Sequence, residues 1–173
     1  RLGRERFFVE VTAMVGSATR QRLPVRGLAE IDVQGDEEDR GVILIHRILA
    51  RIRQKAKQLA DYCDPVVLCI SVPRADLLGG RTSRHEEIWL DLKALAGSVT
   101  VLLTTLRQLS AVMIVLWDVE PLPSKAGTRL ANVDLAERPK RQRGYPRVRM
   151  LVQNPGVRSP LTESQEETFR QVL

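Results

Sequence analysis

Residues 6–15 read RFFVEVTAMV, a run of aromatic and branched apolar residues in which Glu10 is the single charge after Arg6, and this pattern predicts a strand. Residues 16–35 carry Arg20, Arg22, Pro24, Gly27 and Gly35 with weak periodicity, as expected of an irregular loop or a short crossover. Asp36, Glu37, Glu38 and Asp39 then open a long periodic segment. Acidic residues in a first helical turn complement free backbone N–H groups and the helix dipole. Ile45, Ile48, Leu49, Ile52, Ala56 and Leu59 follow the i, i+3, i+4, i+7 spacing of one buried stripe, so a helix is expected to run to about Tyr62, with Arg47, Arg51 and Lys55 on an adjoining face.

The continuous apolar run VVLCISV (residues 66–72) lies between Pro65 and Pro73, as expected of a strand covered on both faces and central in its sheet. A loop over residues 74–84, with Gly79 and Gly80, leads to a helix expected at about residues 86–95 and ended by Gly97. Residues 100–106 fit helix or strand. SAVMIVLW (residues 110–117) predicts a second buried strand, residues 147–152 alternate like an edge strand, and Thr162 caps a last short helix with Glu163, Glu166 and Glu167 near its start. Strand, helix, strand over the first seventy-odd residues predicts an α/β fold, a central mixed sheet flanked by helices. Asn154, Pro155, Gly156 and Pro160 read as turn chemistry with a structural role.

With 173 residues, 43% of them hydrophobic, the chain is expected to form one domain over residues 1–173. Its longest apolar stretch, residues 111–117, is far short of the roughly 18 residues that cross a bilayer, so a membrane partner is not expected. Cys63 and Cys69 are the only cysteines and Cys69 sits in an apolar run; a reducing, cytoplasmic compartment without a disulfide is the expectation. The chain opens on Arg1 and enters a strand within a few residues, which suggests natural sequence upstream.

Charge changes the picture at one place. Residues 124–149 hold eight basic residues (Lys125, Arg129, Arg138, Lys140, Arg141, Arg143, Arg147 and Arg149) against Asp134 and Glu137, so this segment alone carries the whole net charge of +6. It reads as a basic loop or insertion, in which Lys140, Arg141 and Arg143 are the candidate contacts to a DNA backbone; a solvated loop is the other reading. One aromatic residue, Tyr145, is too few for a platform that stacks single-stranded bases.

Several chemistries are set aside by the residues present. There is no glycine-rich phosphate loop, no cysteine pair at metal-ligand spacing and no nucleophile elbow, and the only histidines are His46, beside the helix stripe, and His85, in a polar loop. Glu10 asks for an explanation, because an ionised carboxylate in a mostly apolar strand is unfavourable unless it reaches water, a cation or a metal. Alternation in FFVEVTAM allows it to face solvent. The sharper reading makes it a metal-binding carboxylate at the edge of a sheet, with Lys55 or Lys57 from the helix stabilising a scissile phosphate or positioning a water.

FFVEVTAM, then RILARIRQKAKQL, DPVVLCISVP and RMLVQNPGVRSPL resemble a family of bacterial proteins with PD-(D/E)XK restriction-endonuclease-like cores, over most of the chain. The resemblance implies that Glu10 is the acid of the acid-x-lysine motif. Thr12 stands where the lysine is expected, and the first aspartate of the pattern is expected upstream of Arg1. Lysine migration to the helix is known in such folds, so Lys55 or Lys57 would replace it, with Gln54 or Gln58 as a polar helper. By this resemblance the chain is a Mg²⁺-dependent phosphodiesterase acting on DNA, or a catalytically dead relative that binds nucleic acid or a protein partner. An unrelated α/β domain is the remaining alternative.

Overall fold

A computed structural model of the chain describes residues 6–14, 37–72, 88–123, 130–139 and 144–173. Ten elements follow in chain order: β1 (Phe8–Ala13), α1 (Glu37–Gln58), β2 (Val66–Val72), β3 (Ile88–Leu90), α2 (Leu92–Thr104), β4 (Ala111–Leu116), β5 (Val119–Pro121), β6 (Val133–Glu137), β7 (Val148–Gln153) and α3 (Glu163–Gln171). The main sheet has the order β1-β2-β4-β7-β6. Its first three strands run parallel, while β7 is antiparallel to both β4 and β6. A second, two-stranded parallel sheet joins β3 to β5.

The apolar pattern explains the layers. β2 and β4 are buried along nearly their whole length because helices cover both faces of the sheet. On one face Leu68, Ile70, Ile114 and Met150 meet the α1 stripe of Ile45, Ile48, Leu49, Ile52 and Leu59 and the α2 stripe of Leu95, Val99 and Leu103. On the other, Val67, Ala111, Met113 and Leu151 pack against Leu161 and Phe169 of the C-terminal segment. The expected α/β arrangement is therefore present: the three predicted apolar strands share one mixed sheet, and the long helix lies on it through the predicted stripe. No helix of the described residues is long and apolar enough to cross a membrane.

The structure corrects several boundaries. α1 ends at Gln58, not Tyr62; beyond it the Leu59 N–H is shared between the Lys55 and Ala56 carbonyls, and a turn runs to Tyr62. The helix expected at residues 86–95 begins at Leu92, because Asp91 caps it by accepting the Ala94 N–H at 2.9 Å, while Ile88–Leu90 pairs with β5. Gly97 does not stop that helix. The buried positions Leu92, Leu95, Ala96, Val99, Leu102 and Leu103 continue through it, so the ambiguous residues 100–106 are helical as far as Thr104. Residues 147–152, expected at an edge, lie inside the sheet, because β6 adds an unforeseen strand beyond them. The segment expected as a basic loop thus contributes β6 and the start of β7 to the main sheet. α3 begins as expected, with a reciprocal capping box between Thr162 and Gln165. The loops read at residues 16–35 and 74–84 fall outside the described residues, as do Asp36 and His85.

Candidate functional site

β1 sets the direction of Glu10. Phe8 and Met14 donate their backbone N–H groups to Pro65 and Ser71, so the even-numbered residues of the strand bond towards β2 and the odd-numbered ones point their backbone the other way. Side chains alternate likewise. Met14 joins the core beneath α1 and Phe8 meets the ring of Tyr62 edge-on at 4.8 Å, which puts Phe8, Glu10, Thr12 and Met14 on the helix-bearing face. Glu10 sits in register with Leu68 of β2.

Lys55 reaches Glu10 from the last turn of α1. Its Nζ donates to Glu10 Oε1 at 2.6 Å, with the lysine side chain 20% and the glutamate 35% exposed. A cation is favoured at this end of a helix by the partial negative charge of the free carbonyls. The solvent-facing reading of Glu10 is replaced by a carboxylate turned to the helix and paired. Lys57 and Gln58, the other helix candidates, do not share this contact: both are exposed, and two residues beyond Lys55 a side chain points to roughly the far side of the helix. Gln54 is also exposed and accepts a hydrogen bond from Arg51 at 3.2 Å.

No protein-family model, curated protein or solved structure matches the chain. The site must therefore be read from its chemistry. A hard divalent cation takes six or more oxygen ligands, usually from more than one carboxylate. Among the described residues no group of three or more His, Cys, Asp or Glu side chains could hold a metal, and the carboxylate of Glu10 already faces an ammonium group. The described residues do not make a complete Mg²⁺ site; Glu10 offers one ligand. What the pair does without a metal is fasten the end of α1 to β1, a contribution within about 1 kcal/mol for an ion pair with this access to water.

The other candidates divide in the same way. His46 is exposed on α1. Cys63 and Cys69 are both free, and burial pushes the Cys69 thiol up, the reverse of what activates a nucleophile. Lys140, Arg141 and Arg143 lie outside the described residues, as do Lys125 and Arg129. Three further residues of the basic segment are tied into the fold. Arg147 is 7% exposed and bonds Glu120 and Glu137 at 3.2 Å each, Arg138 stacks on the Tyr145 ring, and Arg149 donates to the carbonyls of Val172 and Leu173. Charge counting alone does not show that Arg147 is buried and paired, because its two carboxylates arrive from β5 and from the unforeseen β6.

Sequence reading also missed how far the turn residues reach. Asn154 is buried and donates through Nδ2 to the carbonyls of Leu106 and Leu109 at 3.0 and 2.8 Å, while its Oδ1 accepts the Gly156 N–H at 2.9 Å. Ser110 Oγ accepts the Val66 N–H at 2.9 Å and donates to the Ser159 carbonyl at 2.7 Å. These bonds tie the turn before β4 to the segment after β7. They are structural, as the turn chemistry of Asn154, Pro155, Gly156 and Pro160 implied.

Proposed function

We propose that the chain is a restriction-endonuclease-like domain whose phosphodiesterase centre survives in reduced form as Glu10 and Lys55. One observation supports this above others: a carboxylate on a sheet strand and a lysine from the following helix, 45 positions apart, meet at 2.6 Å. An acid and a lysine on one side of the sheet are what hydrolysis of a phosphodiester asks of a protein, since the ammonium group stabilises charge on phosphate oxygens while the carboxylate holds a hydrated cation. Mg²⁺ would be the cofactor and DNA the substrate. The second reading, a domain that binds nucleic acid or a protein partner without cutting, is favoured by the incomplete ligand set around Glu10 among the described residues.

Cleavage and binding of linear and supercoiled DNA, each measured with Mg²⁺ and with Mn²⁺, separate the two. Weak cleavage is expected at most. Any cleavage should vanish in Glu10→Ala and in Lys55→Met, both of which retain the fold because the pair contributes within about 1 kcal/mol. Cleavage that persists in both variants would remove Glu10 and Lys55 from the reaction. Binding that survives in the absence of any cleavage would favour the non-cutting domain.

If DNA is bound, the basic segment should dominate, because the rest of the chain has no net charge. Replacing Lys140, Arg141 and Arg143 by glutamine is expected to reduce the slope of log affinity against log salt by about 2 to 3, at roughly 0.9 for each phosphate no longer neutralised. Anisotropy titrations over a salt series would show this. An unchanged slope would make the segment a solvated loop.

A further inference from the structure

We infer that β1 is a self-pairing edge, and that two copies of this chain join antiparallel through Val9–Ala13 into one continuous sheet. Among the described residues β1 is a terminal strand of the main sheet, bonded only to β2. Since Phe8 and Met14 donate towards β2, it is Val9, Val11 and Ala13 that present N–H and C=O groups at the free edge. The same three residues carry their side chains on the face that α3 leaves open: Val9 is 46% and Val11 67% exposed. Proteins blunt such edges with lysine, proline, bulges or inward charges. Val9–Ala13 has none of these; its only charge, Glu10, is held by Lys55 of its own chain.

The occupant follows from register. A two-fold axis normal to the sheet keeps the helix-bearing faces of both copies on one side and pairs residues of equal parity. Centred on Val11, it sets Val11 opposite its own copy and Val9 opposite Ala13 as hydrogen-bonded pairs, so all three free residues of each edge are satisfied. Glu10 then falls opposite the Thr12 hydroxyl. Centred on Glu10, the axis would still pair Val9 with Val11, but it would set two carboxylates directly against each other. Among the described residues α1 lies over β2 and the small sheet, and it reaches β1 through Lys55. A second copy of the strand is therefore complementary in hydrogen bonding and in apolar side chains. The contact is small, so association in the micromolar range is expected rather than tighter.

This pairing stands on the edge and not on the nuclease reading, but it bears on the site. In the Val11-centred register the two Glu10 residues are diagonal neighbours, about 7–8 Å apart at Cα, on the same face. Each copy would thereby bring a second carboxylate to the other.

Sedimentation equilibrium of the full chain over a concentration series into the high micromolar range tests the pairing without any assay of activity. The expected result is a monomer–dimer equilibrium that Val11→Lys abolishes with an unchanged circular dichroism spectrum, since that side chain lies on the exposed face. In a Cys63→Ser, Cys69→Ser background, Val11→Cys should form a disulfide-linked dimer under mild oxidation. The Cα separation of a hydrogen-bonded antiparallel pair, about 5.5 Å, lies within the range a disulfide spans. Val101→Cys, equally exposed on α2, should not. A wild type that stays monomeric throughout, or a dimer that survives Val11→Lys, overturns the proposal.

Discussion

Gly41→Ala is expected to destabilise the protein by at least about 2 kcal/mol, against the stabilisation of about 1 kcal/mol that alanine normally brings to a helix interior. Gly41 is buried near the start of α1, where the helix crosses β3, and a Cβ there would fall on the Trp89 carbonyl oxygen. That oxygen belongs to the backbone of a paired strand and cannot turn aside as a flexible side chain would. Gly97 in α2 is the control. Nothing lies within 4 Å of its missing Cβ, so Gly97→Ala should stabilise by about 1 kcal/mol. Thermal melts should therefore move in opposite directions, by roughly 2–4 °C per kcal/mol for a domain of this size. A rise in the melting temperature of both variants would mean that α1 and β3 do not approach each other this closely.

Asn154→Ala is expected to lose about 2–4 kcal/mol, because the Leu109 carbonyl and the Gly156 N–H would be left without their bond to this side chain, and the Leu106 carbonyl would keep only the Leu109 N–H. Water has little access, since the residue is 5% exposed. Asn154→Asp should fail to rescue it, for it is isosteric but turns an acceptor towards two carbonyl oxygens. Urea unfolding of the three proteins would measure the difference. A loss below about 0.5 kcal/mol, the range of an ordinary surface substitution, would show that the turn before β4 holds without this side chain.

The two predictions differ in how much of them could be read in advance. The NPG sequence marks a turn wherever it occurs, but that the amide closes another turn 45 to 48 residues away depends on β4 and β7 lying side by side. Gly41 and Gly97 look alike in the chain, both glycines in helical stretches. Their contrast exists only because β3 passes one of them.

The candidate site follows the same division. Glu10 was conspicuous because a charge in an apolar strand is costly unless compensated, and Lys55 because it lined the face beside a regular stripe. Alternation could not say which face of the sheet Glu10 would take, so helix periodicity, which sets Lys55 and Lys57 on different sides of α1, could not say which of them would meet it. Parallel pairing of β1 with β2, and the docking of α1 across them, put Lys55 on Glu10 and left Lys57 and Gln58 in solvent.

Local pattern alone determined the apolar strands, the buried stripe of α1 and the capped start of α3, because burial periodicity and capping chemistry act over a few residues and need no distant partner. It misplaced the start of α2 and overlooked β6, where short strands, the apolar IWL and the mixed VDLAE, are held by pairing with other strands. Charge counting could not see that Arg147 is neutralised by Glu120 and Glu137, since those carboxylates arrive on other strands. Strand order, the face each side chain takes and the partner each charge meets were decided by the tertiary structure, for the physical reason that hydrogen bonds between strands and ion pairs between elements exist only once segments remote in sequence have been packed together.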